Sequence, residues 1–352
     1  MNKHTDPTTP KIDLHCHLDG SLPITSVRRL ASRAGITLPQ EDEALRTLME
    51  APADCTSLET YLERFSLPVA CMQTAENLYE AARDVLLSAA EEGVVYMELR
   101  FAPLQHLQMG LTVKEVLEHV ISGAREAEEK INANAKAPVS RFGIIICGMR
   151  HEDVRKNIAM LEEAMPFYGK GVCALDIAGA ETPFPPKTQE ELFREAQHLG
   201  IPYTIHAGEC GSWENVMDAI DLGASRIGHG IAIAKNPAAM ETCVSLKIPL
   251  ELCPVSNFQT KAVERPGDYP LRTFLDAGVC VTINTDNRTV SGTSLTRETD
   301  VCRKIAGLTP DEERMLYENA VNAAFASAET KQKLMALSAL IPDSAVPRSG
   351  PK

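Results

Sequence analysis

Residues 14–20 read Leu-His-Cys-His-Leu-Asp-Gly. They end a short run, Lys11–His17, that has the length and composition of a buried β-strand. Side chains two residues apart in a strand point to the same side, so His15 and His17 share one face. Two imidazoles placed together at the end of a strand predict a metal site.

Similar apolar runs recur along the chain, separated by longer amphipathic stretches. Their bounds are Val94–Ala102, Phe142–Met149, Gly171–Ala178, Pro202–Ala207, Arg226–His229, Pro249–Pro254 and Val279–Asp286. Strands that alternate with helices indicate an α/β fold with a parallel sheet. Eight strands favour a closed (β/α)8 TIM barrel, because closure removes the sheet edges. A doubly wound open sheet is the alternative, although no glycine-rich phosphate loop follows the first strand.

A long insertion, roughly residues 22–92, separates the first two strands. It carries Leu58, Tyr61, Leu62 and Phe65, whose spacings of three and four place them on one helix face. Such a face either packs against the barrel as core or covers a binding site as an apolar lid. The sequence leaves both interpretations open.

The composition is that of a globular protein, with 352 residues, 44% of them hydrophobic and 24% charged. We expect one domain over residues 11–340, flanked by flexible residues 1–10 and 341–352. The net charge of −13 argues against nucleic acid or an anionic membrane as a partner. With neither a signal-like nor a bilayer-length apolar run, we expect a cytoplasmic enzyme for a small neutral molecule, without an obligate protein partner.

Polar residues gather where the later strands end. The fifth strand carries His206 near its end and is followed by Glu209, the sixth ends at His229, and the eighth ends at Asp286 with Asn287 next to it. Barrel enzymes build their sites at the carboxyl ends of the strands. Three imidazoles with one carboxylate suit a single zinc ion, with one position left for water. A second metal is not expected, because residues 171–179 contain no lysine that could bridge two ions.

The other histidines serve as comparisons. His4, His119 and His198 lie in polar contexts typical of surface residues. His106 and His151 follow strands, and we treat them as weaker candidates for a supporting role around the site.

Over about residues 10–335 the chain closely resembles the adenosine deaminase family of the amidohydrolase superfamily, in its bacterial form. The motifs that carry the resemblance are residues 15–20 (HCHLDG), 97–103 (MELRFAP), 176–179 (DIAG), 206–209 (HAGE), 228–230 (GHG) and 284–286 (NTD).

The resemblance implies one zinc ion per chain. The ligands that it implies are His15, His17, His206 and Asp286. Glu209 would donate a proton to the purine N1, which requires a protonated carboxyl in a dry pocket. His229 would polarise the attacking water and stabilise the oxyanion, and Asp286 would also accept a hydrogen bond from that water.

The resemblance also assigns substrate contacts, and His17 is one of the residues it implies for them. Gly179 would offer its backbone N–H to purine N3, and Asp19 would bind the ribose hydroxyls, which favours a nucleoside over a free base. Leu58, Leu62 and Phe65 would form the lid. The chain departs from the usual Asp-Asp-Pro signature at Asn287, whose amide can donate to purine N7 without being protonated first.

The implied function is zinc-dependent hydrolytic deamination of adenosine and 2′-deoxyadenosine to inosine and 2′-deoxyinosine plus ammonia, a purine salvage reaction. The nearest alternative is a deaminase of another 6-aminopurine, such as adenine, a methylated AMP or aminodeoxyfutalosine. For a nucleotide, Arg100 and Arg288 are the residues to consider as phosphate ligands. A two-metal hydrolase and a catalytically inactive binding barrel are the more distant alternatives.

Overall fold

The computed structural model describes residues 8–52, 54–133, 141–209 and 212–342. Most of the two terminal segments expected to be flexible, including His4, lies outside these residues. Ile341, placed by the sequence in the flexible tail, is instead buried in a small apolar cluster with Tyr317 and Leu334. Its carbonyl oxygen accepts a hydrogen bond from Arg314 Nη2 at 2.8 Å.

The strands follow the predicted order. They are β1 (Lys11–His17), β2 (Val94–Phe101), β3 (Phe142–Met149), β4 (Val172–Ala178), β5 (Thr204–Ala207), β6 (Arg226–His229), β7 (Leu250–Leu252) and β8 (Val281–Ile283). All pairings are parallel, in the orders β1-β2-β3-β4 and β5-β6-β7-β8.

Two short seams close these sheets into a barrel. The Leu175 N–H of β4 donates to Pro202 O at 3.0 Å, beside β5. At the other seam, His17 N–H donates to Asp286 O and Asp286 N–H donates to His15 O, both at 2.7 Å. The second seam therefore joins two segments that the sequence marked for the site.

The last two strands are shorter than predicted, for local reasons. Pro254, which the sequence placed in β7, begins a helix instead, as proline does at a first helical turn. After β8 the backbone turns sharply, and Asp286 adopts a positive φ of 57°. An extended strand cannot continue through that conformation.

Helices separate the strands. The α-helices are α1 (Ile24–Arg33), α2 (Asp42–Met49), α3 (Leu58–Leu62), α4 (Ser66–Cys71), α5 (Ala75–Ala90), α6 (Val113–Asn132), α7 (Val154–Ala164), α8 (Glu190–Leu199), α9 (Trp213–Asp221), α10 (Pro237–Leu246), α11 (Pro254–Gln259), α12 (Leu271–Ala277), α13 (Leu295–Ala306), α14 (Pro310–Ala323) and α15 (Ala328–Ala336). Short 3-10 turns occupy Glu63–Phe65, Pro103–His106, Met165–Phe167, Pro186–Gln189, Ile231–Lys235, Pro266–Asp268 and Leu337–Leu340.

Helices α1 to α5 lie between β1 and β2, as the long insertion predicts. The apolar face expected as one helix is divided, because α3 ends at Leu62 and a 3-10 turn carries Phe65. Among the described residues, no helix combines the length and apolarity needed to cross a bilayer.

Candidate active site

The carboxyl ends of the strands bring the predicted polar residues together. His15 and His17 come from β1, His206 from β5 and His229 from β6, while Asp286 follows β8. His229 and Asp286 both adopt positive φ, at 62° and 57°. Such backbone costs about 1–3 kcal/mol for a residue other than glycine and is concentrated at functional sites.

Imidazole nitrogens and a carboxylate oxygen converge at this end. Asp286 Oδ1 lies 3.4 Å from His15 Nε2 and 3.5 Å from His17 Nε2. His17 Nε2 is 3.3 Å from His206 Nε2. Donor atoms of His15, His206, His229 and Asp286 all lie within 4.8 Å of one another. His229 thus lies with three of the four residues that the resemblance names as ligands, and His17 approaches the same cluster at 3.3 Å from His206 and 3.5 Å from Asp286.

Buried carboxylates set the orientation of two of the rings. His15 Nδ1 lies 2.8 Å from Glu251 Oε2, and His206 Nδ1 lies 2.8 Å from Asp176 Oδ2. Each Nε2 consequently faces the cluster, and that of His15 is buried without a hydrogen-bond partner among the described residues. This is the arrangement that metal-binding histidines show in proteins. The donor set fits zinc.

The protonation states also suit a cation. Burial lowers the pKa of His17, His206 and His229, so their rings stay neutral, which is the form that binds metal. Burial opposes ionisation of Asp286, but contact with His15, whose own pKa is raised, holds the pKa of Asp286 well below the usual range.

For Glu209, in contrast to Asp286, the surroundings favour the protonated carboxyl. It follows β5, and its side chain is only 8% exposed, with Oε2 3.9 Å from His229 Nε2. Burial raises the pKa of Glu209 well above its ordinary value, and the negative charges of Asp286 and Glu181 raise it further. A carboxyl in this setting is protonated near neutral pH and can donate a proton.

A cavity of about 400 Å³ opens onto these groups, within the size range of small-molecule sites. The predicted residues that line it are His17, Asp19, Leu58, Leu62, Phe65, Gly179, His206, Glu209, His229, Asp286 and Asn287. His15 is fully buried beneath the cavity and does not line it.

The structure also locates the histidines and arginines whose roles the sequence left open. His151 lines the cavity, whereas His106 is buried elsewhere with Nδ1 3.0 Å from Met72 O. Arg100 bonds to Asp176 and Glu251, and Arg288 pairs with Glu92. Among the described residues, no lysine or arginine lines the cavity.

Sequence reasoning missed the residues that hold the cluster in place. Ser256 Oγ donates to Asp286 Oδ2 at 2.5 Å, and Asn257 Nδ2 lies 3.1 Å from His229 Nδ1. Both follow the carboxyl end of β7, where the polar pair Ser-Asn after Cys-Pro could have suggested them. Gln105, Met149 and Phe184 line the cavity and carry no comparable signal in the sequence.

Two polar side chains in the cavity retain unpaired atoms. Asp19 Oδ1 and Asn287 Oδ1 are buried without a hydrogen-bond partner among the described residues. Asn287 packs against Gly20, where a Cβ would come within 1.8 Å of Oδ1. Buried polar groups of this kind usually pair with a ligand or water.

The comparisons with known proteins agree with this site. A family model described as adenosine deaminase matches residues 10–339. An adenosine deaminase of Enterococcus faecalis is 45% identical over 325 residues, covering 92% of this chain and 94% of that protein. One of Clostridium botulinum is 42% identical over 327 residues, covering 92% and 96%.

Solved structures share the fold. An adenine deaminase from Arthrobacter aurescens superposes with a TM-score of 0.83 at 26% identity, covering 94% of this chain and 98% of that one. The N6-methyl-AMP deaminase of Arabidopsis thaliana has a TM-score of 0.80 at 24% identity, covering 95% and 97%. Since the family match and the bacterial relatives span nearly the whole chain, this protein belongs to the adenosine deaminase family.

Proposed function

We propose that this enzyme hydrolyses the 6-amino group of adenosine and 2′-deoxyadenosine, with zinc held by His15, His17, His206 and Asp286. The observation that carries the proposal is a buried Glu209 with Oε2 3.9 Å from His229 Nε2, at the metal-binding end of a cavity whose described lining contains no lysine or arginine. The 42–45% identity to bacterial proteins named adenosine deaminase supports the same reaction. We treat residues 11–340 as one catalytic domain.

When bound, zinc lowers the pKa of water and so supplies a nucleophile near neutral pH. Asp286, whose pKa lies well below the usual range, stays ionised and accepts a hydrogen bond from the attacking water. Ser256 donates to the other carboxylate oxygen, which fixes the orientation of Asp286. His229 is held through Nδ1 beside Asn257, so its Nε2 is directed toward the reacting centre.

Glu209 supplies the proton that the purine ring needs. Its protonated carboxyl donates to N1 while the hydroxyl group adds to C6 of the ring. The proton lost by the attacking water passes to the 6-amino group, which leaves as ammonia. The hydroxyl proton lost as C6 becomes a carbonyl returns to Glu209, so that water and adenosine give inosine and ammonia. A donor that is protonated at neutral pH is required for this step, and burial of Glu209 provides it.

The remaining cavity residues bind the nucleoside. Asn287 donates to N7, Gly179 offers its backbone N–H to N3, and Asp19 accepts from the ribose hydroxyls. Leu58, Leu62 and Phe65 cover the base with apolar surface. The unpaired Oδ1 of buried Asp19 supports its contact, because it can accept from a hydroxyl group, and Asn287 lines the same cavity.

The charge of the cavity favours a neutral substrate. A nucleotide phosphate would need a cation, and both arginines considered for that role are bonded to carboxylates outside the cavity. Burial raises the pKa of Asp19 to about 6. At pH values where Asp19 is ionised, its negative charge would repel a phosphate. We therefore favour a nucleoside over AMP or a methylated AMP.

A substrate panel tests this proposal. The purified protein is assayed for ammonia release from adenosine, 2′-deoxyadenosine, adenine, AMP and N6-methyl-AMP at equal concentrations. We expect the two nucleosides to give the highest kcat/KM. A higher kcat/KM for adenine or for either nucleotide would contradict the substrate assignment while leaving the fold and the site intact.

A further inference from the structure

Glu181 holds the backbone of the proposed proton donor. It lies in the segment after β4 and is only 2% exposed. Its Oε2 accepts a hydrogen bond from Glu209 N–H at 3.0 Å. Its Oε1 accepts from Gly208 N–H at 2.7 Å and from Asn215 Nδ2 at 2.8 Å. One buried carboxylate thereby connects the segment after β4, the segment after β5 and the first turn of α9.

The segment that Glu181 holds lies past the strand, where a backbone bond from Ala232 N–H to Gly208 O at 3.1 Å also anchors it. Glu209 lies beyond the end of β5, so the strand ladder does not hold its backbone. Gly208 before it has a φ of +70°, and a Cβ there would lie 2.5 Å from Val216 Cγ2. The chain makes a tight, glycine-dependent turn at this point. Hydrogen bonds to two consecutive N–H groups are an effective way to fix such a turn.

The charge of Glu181 also supports the role of Glu209 as a proton donor. Both of its oxygens accept hydrogen bonds, which is the pattern of an ionised carboxylate. After burial and Asp286, Glu181 is the next contributor that raises the pKa of Glu209, with Arg150 opposing. Arg150 donates to Phe184 O and His206 O. Glu181 thus both fixes the Glu209 backbone and favours the protonated side chain.

We infer that Glu181 is a positioning residue for deamination: its carboxylate fixes the backbone of Glu209 so that the Glu209 carboxyl meets the ring nitrogen of the substrate. This inference rests on the proposed function, in which Glu209 is the proton donor. No sequence pattern indicates this contact, because Glu181 and Glu209 are 28 residues apart.

Glu181→Gln tests the inference with a minimal change. The glutamine oxygen keeps the bonds from Gly208 and Asn215, but its NH2 group then meets the N–H of Glu209, donor against donor. We expect kcat for adenosine to fall about 10- to 100-fold, as small misplacements of catalytic groups do. The KM for adenosine and the bound zinc per chain should stay within about twofold of wild type.

A double-mutant cycle with Glu209→Gln separates positioning from folding. If Glu181 acts through Glu209, adding Glu181→Gln to Glu209→Gln lowers the residual kcat no further. The matched control is Glu92→Gln, since Glu92 is also 2% exposed and accepts from two consecutive N–H groups, those of Leu295 and Thr296. Glu92→Gln should lower the melting temperature. It should change kcat by the same factor in the wild-type protein and in the Glu209→Gln variant.

The outcomes are distinct. Wild-type kcat in Glu181→Gln, or an equal loss of kcat with and without Glu209, would overturn the inference. Wild-type protein inactive on adenosine would instead refute the proposed function.

Should Glu181→Gln fail to fold, the same cycle is run with Glu181→Asp, which keeps the charge and lengthens the contact. That variant should lose kcat only when Glu209 is present, and a loss independent of Glu209 would count against the inference.

Discussion

Glu209 Oε2 lies 3.9 Å from His229 Nε2, and both side chains are almost completely buried. Burial acts on them in opposite directions, because it raises the pKa of the Glu209 carboxyl and lowers the pKa of the His229 ring. Burial therefore favours a neutral acid beside a neutral imidazole. A proton donor and a polarising group can then face the same substrate atoms without forming an ion pair that would neutralise both.

Replacing Glu209 by glutamine should separate chemistry from metal binding. The amide cannot donate a proton as an acid, so we expect kcat to fall about 100- to 10,000-fold. Bound zinc should remain at one per chain, because the donor atoms of the histidine and aspartate cluster are unchanged. Kinetics together with metal analysis check this. Loss of the metal would mean that Glu209 is a ligand.

Arg100 should affect zinc affinity although it does not touch the cavity. Its two Nη atoms donate to Asp176 Oδ2 at 2.7 Å and Glu251 Oε2 at 2.9 Å. Those carboxylates orient His206 and His15. A lysine cannot donate as a planar fork, so Arg100→Lys should weaken zinc binding about 10- to 100-fold.

Competition with a chromophoric chelator measures the zinc affinity of this variant. Arg303→Lys is the matched control, since Arg303 also donates through two nitrogens to a carboxylate, Glu313, but lies in α13. The control should bind zinc as the wild type does. Equal weakening in both variants would show that Arg100 acts through general stability.

The contact between Asn287 and purine N7 can be tested from both sides. Asn287→Ala removes one buried hydrogen bond and should raise the KM for adenosine about 10-fold. 7-Deazaadenosine, which has carbon at that ring position, should show a similar loss with wild-type protein. The variant should then no longer distinguish the two nucleosides. Equal discrimination by variant and wild type would place the N7 contact elsewhere.

A buried carboxyl outside the site should make stability depend on pH. Burial raises the pKa of Glu298 from 4.5 to about 8. The pKa of Glu298 is higher in the folded than in the unfolded protein. Its contribution to the free energy of unfolding is therefore complete below about pH 4.5 and is lost as the pH rises to about 8. The loss is at most about 1.4 kcal/mol per pH unit.

Glu298→Gln should remove that dependence. A glutamine cannot ionise, and it can still accept from Val255 N–H and donate to Thr293 Oγ1, the two groups that Glu298 contacts. Its stability relative to wild type should therefore increase between pH 5 and pH 8 in urea unfolding. Glu241→Gln, at an exposed position of α10, is the control and should show no such trend. A constant difference across this range would rule out the raised pKa.

Local pattern was sufficient to predict much of the fold and the placement of the polar residues. The period of two in β1 placed His15 and His17 on one face, and the ends of β5, β6 and β8 supplied the rest. The bounds of β1, β3 and β6 agree with the structure to the residue. These features depend on neighbours in sequence, which is why they can be read without coordinates.

Contacts across the barrel could not be predicted in this way. Glu251 meets His15 across 236 positions of sequence, and nothing in β7 alone indicates which ring it faces. Asn257 and Glu181 likewise act on residues of other strands through the closure of the barrel. The apolar face of Leu58, Leu62 and Phe65 was predicted from its spacing, but the break after Leu62 depends on packing that spacing does not encode.

The central claim is metal-dependent deamination of adenosine, and one assay tests it directly. The ultraviolet absorbance of adenosine is followed with purified protein as isolated, after treatment with a zinc chelator, and after zinc is returned. We predict conversion to inosine, its loss with the metal and its recovery with zinc. Conversion that continues unchanged in metal-free protein, or no conversion by zinc-loaded protein, would contradict the account.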